Sequence, residues 1–238
     1  FLDAQVVSLP EAGALVTAEV VSSVESKQEW LLLGGVGGLY GYASHDGSGF
    51  GAINGIDDLF VSERSWKKIG DFSFVRKVIK DTSNENILYV VTFQGVYKVV
   101  ANKNMFTTPQ VEKVFDSSIL GGRFDYVSDL FVDQEFAIVG TSKGIYIIED
   151  MNDTSRTYKL TLDGAVGSVN QITALKGSKT FDNVYILSTH QQKQVSLVHR
   201  IVVRDKQCTL FADCTHQHRN DQFGTRGAFL SMESTCSS

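Results

Sequence analysis

The chain has 238 residues, 42% hydrophobic and 21% charged, with a formal net charge of −5. That suffices for one large all-β domain or two smaller ones with an ordinary core, while the acidic balance argues against a nucleic-acid surface, which wants a basic stripe. No apolar run reaches the roughly 20 residues of a membrane span.

In chain order, Phe1-Leu2-Asp3 lacks the basic region and apolar block of a signal peptide, and a start at Phe reads as processed or cut from something longer. Asp3 to Leu9 reads as an outer strand and Thr17 to Ser23 as an inner one. The apolar run Trp30 to Leu33 then leads into Gly34-Gly35-Val36-Gly37-Gly38-Leu39-Tyr40. This phrase returns as Val91-Thr92-Phe93-Gln94-Gly95-Val96-Tyr97 after Ile87 to Val90, and as Gly140-Thr141-Ser142-Lys143-Gly144-Ile145-Tyr146 after Phe136 to Val139. An apolar run, a short turn with glycine in its fourth position and an aliphatic-Tyr restart predict a β-hairpin, the glycine supplying positive φ.

The markers Gly35, Thr92 and Thr141 are 57 and 49 residues apart, and a decayed copy, Val184 to Thr189, follows 48 residues on with Gln192 in the glycine place. Before each marker lies another strand candidate (Thr17 to Ser23, Val75 to Asp81, Val127 to Asp133, Val169 to Leu175). After each hairpin comes a fourth (Trp66 to Ile69, Val111 to Phe115, Tyr158 to Leu162, Cys208 to Ala212). Four antiparallel strands per period of about 40–50 residues predict the blades of a β-propeller. No segment longer than one turn has a helical period, and Pro10 and Pro109 read as lying between units. The blades are expected at about 15–70, 72–118, 124–163 and 166–212 of a single domain. Residues 222–238 and 1–12 are expected to share a closing blade, since an open blade edge invites association. The fold expected is therefore all-β, a propeller of about five four-stranded blades or a segment of a larger one.

The run Gly/Val-Thr-x-x-Gly-aliphatic-Tyr resembles the repeats of two-component-regulator-type propellers. Val75 to Tyr97, preceded by Ser65-Trp66-Lys67-Lys68-Ile69, is similar to the Asp-box propellers, sortilin-like and photosystem-assembly-factor-like. The chain departs from the Asp-box itself, having Leu59, Val61 and Glu63 in the places of its Ser-x-Asp-x-Gly residues. The resemblance spans residues 15 to about 211, implies a propeller and carries no functional residue over.

Three sets of residues are candidates for chemistry. Aligning the inner strands brings Glu19, Lys77, Asp129 and Gln171 to one position, beside Ala18, Arg76, Ser128 and Asn170. Alternation predicts that one of these sets faces the central channel, as a ligand site or as a solvated lining. In an enzyme, Glu19 and Asp129 would be the carboxylate pair of a glycosidase. Cys208, Cys214, His216 and His218 have ligand types suited to zinc, but Cys-x5-Cys is not a usual knuckle, and Thr215 to Asp221 reads as a loop. A Cys208–Cys214 disulfide or free thiols are the alternatives, and no cofactor is called for. His45-Asp46-Gly47-Ser48-Gly49-Phe50-Gly51, continuing to Asp57 and Asp58, lacks the pattern of a phosphate or calcium loop. It reads as a blade-face loop presenting contacts.

No nucleophile elbow or Cys/His signature is present. The sequence reading is a non-catalytic binding or scaffolding propeller, the sensor or recognition part of a larger protein or assembly. Its expected partner is a protein or a small polar or carbohydrate ligand, with no nucleic acid and no membrane insertion. The alternative is a glycosidase-like enzyme. The compartment stays open, with a slight lean to an extracytoplasmic one; Asn152-Asp153-Thr154 is a sequon that matters only there.

Overall fold

Alternating and continuous apolar runs of β-branched and aromatic residues, punctuated by Gly, Asp and Asn, become seventeen strands among the described residues. The computed structural model describes residues 13–23, 28–43, 67–102, 105–133, 136–160, 166–175, 183–190, 195–204, 207–210 and 216–219. The first sheet runs in order through β1 (Leu15–Ser23), β2 (Gln28–Gly35), β3 (Gly38–Ala43) and β4 (Lys67–Gly70). The second consists of β5 (Val75–Lys80), β6 (Ile87–Thr92), β7 (Gly95–Asn102) and β8 (Met105–Asp116), again in order. The third has β9 (Val127–Asp133), β10 (Phe136–Thr141), β11 (Gly144–Ile148) and β12 (Thr157–Lys159). The fourth has β13 (Val166–Leu175), β14 (Asn183–His190), β15 (Val195–Arg204) and β16 (Gln207–Leu210), with β17 (His216–Arg219) also on β15. Successive four-stranded antiparallel meanders are propeller blades, and the fold class is all-β of that kind.

The turn of the repeated phrase is built by its threonine. Thr92 Oγ1 accepts from Gln94 N at 3.1 Å and donates to Gly95 O at 3.3 Å, and Thr141 makes the same pair with Lys143 N (3.1 Å) and Gly144 O (2.8 Å). One buried hydroxyl thus satisfies both a turn donor and a turn acceptor. Gly144 (φ 111°) and Gly38 (φ 128°) hold the positive φ expected of the fourth position.

The chain forms two compact units, residues 1–127 and 128–238. In the first, Val21, Trp30, Leu32, Leu39 and Ile69 of the first blade and Phe72 of the link after it share a buried core with Val75, Val78, Leu88, Val90 and Val99 of the second. In the second unit, Phe136, Ile138, Ile145 and Ile147 share one with Val169, Ile172, Val184 and Ile186. The first glycine of the phrase does a separate job here. A Cβ on Gly140 would lie 2.6 Å from Val169 Cγ1, and one on Gly34 would run into Val75. Each of these glycines is a socket for the inner-strand valine of the following blade.

Two local expectations are corrected. Pro109 does not separate units but lies inside β8, within a register irregularity between the pairs Val100–Gln110 and Asn102–Met105. The outermost strand tolerates it because no further strand needs its missing N–H. His216–Arg219, read as part of a loop, is strand β17, pairing with Val195 to Val198 along the stretch of β15 that β16 leaves open. The flanking residues 1–12 and 222–238 lie outside the described residues.

Candidate functional site

Three of the inner strands, β1, β5 and β13, have register irregularities near their starts. Leu15 pairs Gly35 and Thr17 pairs Gly34, so Val16 is left over. Val75 pairs Thr92 and Lys77 pairs Val91, leaving Arg76, while Val169 pairs Ser188 and Gln171 pairs Leu187, leaving Asn170. A bulged residue has no ladder partner, so its side chain is re-aimed out of the alternation. These registers place Thr17, not Glu19, in the position of Lys77, with Glu19 two residues further on, opposite Leu32.

At the second blade the bulge builds a site. Phe74 precedes β5 with φ 52°, a left-handed conformation costing a bulky residue on the order of 1–3 kcal/mol. Its ring stacks on Phe93, the first loop residue of the β6–β7 turn, at 4.6 Å between centroids. Tyr126 meets Phe93 edge-on at 5.7 Å. Over this floor lies the Arg76 guanidinium, 4.9 Å from the Phe93 ring and 6.0 Å from Tyr126. The wall is the link between β8 and β9, sewn to the turn by Ser117 N to Gln94 O (3.0 Å) and Val127 N to Phe93 O (3.1 Å). The link opens as a 3-10 turn, Ser117–Leu120, whose first amides are capped by Asp116, with Ser118 N donating at 2.9 Å to its Oδ1. That bond, with the Lys113 ammonium 2.9 Å from Asp116 Oδ2, holds the Asp116 carboxyl below the usual carboxylate range. Arg123 and Phe124 follow, the guanidinium 5.7 Å from the ring. Phe124 is 86% exposed. Between floor and wall is a cleft of about 630 Å³ with Arg76, Phe93, Gln94, Arg123, Phe124 and Tyr126 among its lining residues.

The other sequence candidates fall elsewhere. Glu19 is half-buried, and desolvation raises its carboxyl pKa against the opposing pull of Lys80. Lys77 is half-buried, Ser128 is buried, and Asn170 and Gln171 are exposed. Asp129 is only 5% exposed, and its carboxylate is taken up by backbone: Leu130 N donates to Oδ1 at 2.8 Å and Ile172 N, in the next blade, to Oδ2 at 2.7 Å. It ties two inner strands together. Cys208 stands on β16 opposite Val203, and His218 and His216 on β17 opposite Ser196 and Val198. Cys214 and the loop residues His45, Asp46, Phe50, Asp57 and Asp58 lie outside the described residues. Among the described residues no three His, Cys, Asp or Glu side chains converge as metal ligands, and no helix is long and apolar enough to cross a membrane.

Sequence reasoning found Arg76 but not its neighbours. Two signals were available. Phe93 occupies a turn position that Val36 and Ser142 hold in the sister copies, and Arg123-Phe124-Asp125-Tyr126 places two aromatics in a polar link that no core requires.

No family model and no curated protein matches this chain. Among solved structures it is similar to the β-propeller domain of Myceliophteria thermophila Cps50 (Swd1), at 12% identity and a TM-score of 0.47. The match covers 84% of this chain and 56% of that one, so the chain spans little more than half of that domain's length.

Proposed function

We propose that this chain is a non-catalytic recognition module that binds a protein partner at the cleft beside the β6–β7 turn. The observation that carries the reading is Phe124, 86% exposed on the wall of a cleft floored by Phe93 and Tyr126 under Arg76. An aromatic left in water on a link pinned at both ends is held ready for contact. Tyr and Arg beside it belong to the residue types that dominate binding energy at interfaces. Pre-ordering of the floor by stacking lowers the entropy cost of docking. The role of the remaining blades is that of a scaffold that presents the turn and link. This reading also makes the module a recognition part of a larger assembly.

The test is affinity for one defined partner, recovered with the chain from its source, identified and then purified alone. Phe124→Ala removes exposed surface only, so the fold should be retained while affinity falls at least about tenfold by calorimetric titration. Tyr158→Ala, an exposed aromatic of the second unit, is the control and should bind as the parent does. Equal affinity of parent and Phe124→Ala would remove the cleft from the interaction.

A further inference from the structure

Resting on that binding reading, the cleft also specifies the chemistry of what it takes. We infer that its occupant is an acidic peptide segment, in which a carboxylate reaches the guanidinium edges of Arg76 and Arg123 while a neighbouring apolar side chain packs on Phe124.

Three cations elsewhere in the chain are neutralised locally: Lys68 by Asp71 at 2.7 Å, Lys113 by Asp116 at 2.9 Å, Arg156 by Glu149 at 2.7 Å. Arg76 and Arg123 instead contact rings, Arg76 over Phe93 and Tyr126 and Arg123 over Phe124. Neither makes an ion pair with a carboxylate among the described residues. A guanidinium resting on a ring uses its face and leaves its in-plane N–H fork open, the geometry that accepts a carboxylate bidentately. The cleft's own carboxylate, Asp125, is turned inward, with Oδ2 buried and the carboxyl group packed against Gly122. It leaves the two forks to an incoming group.

The aromatic content and the overall charge select the source of that carboxylate. With a net charge of −5, the chain repels an extended polyanion beyond the local pair of arginines. Nucleic acid, whose affinity depends on many such contacts, is disfavoured. A short segment with one or two acids beside an aromatic or aliphatic residue uses both the forks and the ring.

A randomised decapeptide display library selected on the full chain tests this. Enrichment of Asp or Glu adjacent to an apolar residue is expected. The best peptide, synthesised, should bind at least about tenfold more weakly when its acids become Gln, or when the chain carries Arg76→Gln or Arg123→Gln. Arg123 is exposed, so its variant keeps the fold even if Arg76→Gln does not, and Lys159→Gln is the charge control. If Phe124→Ala weakens the peptide while the arginine and acid changes do not, the carboxylate inference is overturned and the binding reading stands. If none of these changes matters, both are overturned. Displacement of the peptide by an equimolar oligonucleotide would also overturn the inference.

Discussion

Asp129 shows how a carboxylate that looks available in the sequence is consumed by the fold. Its two oxygens accept from Leu130 N and Ile172 N, the second bond crossing 43 positions of chain to the next inner strand. Asparagine has the same shape but replaces one acceptor with a donor that would face a buried N–H. We expect Asp129→Asn to cost about 1–3 kcal/mol, read as a lowered urea midpoint with an unchanged slope. An unaltered midpoint would mean that the tie contributes nothing. Asp81 is used in a similar way. Its Oδ1 accepts from Ser83 N and Asn84 N, and its Oδ2 from the buried Tyr89 hydroxyl, so the β5–β6 loop closes on one side chain.

At the scale of the element, the blade repeat is legible in the sequence because its determinants are local. A threonine bonding two and three residues ahead and a glycine of positive φ lie within one heptad of letters, and their recurrence sets the period. What is not legible is the bulge. An extra residue leaves no compositional trace, so aligning the first inner strand by its polar residues displaces it by two, to Glu19 rather than Thr17. The cleft escapes for a related reason: most of its lining lies in the link Ser117 to Tyr126, which belongs to no repeat. The socket glycines are likewise indistinguishable from turn glycines until the next blade is in place. Gly140→Val should therefore behave as an overpacked core site, losing about 1–3 kcal/mol or more in thermal or urea unfolding, although valine is an excellent strand former. A neutral or stabilising result would show that Val169 can step aside.

At the largest scale, two of the cores among the described residues are each shared by two consecutive blades. Strands β6 and β10 are buried almost along their full lengths and have a paired neighbour on both sides. Strands β4 and β12 are short, largely exposed and paired on one side only. Amide hydrogen exchange followed by mass spectrometry should find two protected centres, at β6 and at β10–β11. Protection at β12 should be lower by about a hundredfold or more. Equal protection across each sheet would contradict this gradient.

The leftover residue of the inner strands has a consequence for how such a chain can change over generations. Val16 and Arg76 occupy the same bulged place, and Asn170 a bulge one position further from the marker of its own blade; they are an alkyl group, a cation and an amide. Because the ladder bonds on either side are made by other residues, the ladder does not dictate the identity of this one. Selection can rewrite it blade by blade without disturbing the architecture. The repeat thus carries a built-in address position, and a laboratory library confined to residues 16 and 76 is a direct route to varying it on an unchanged frame.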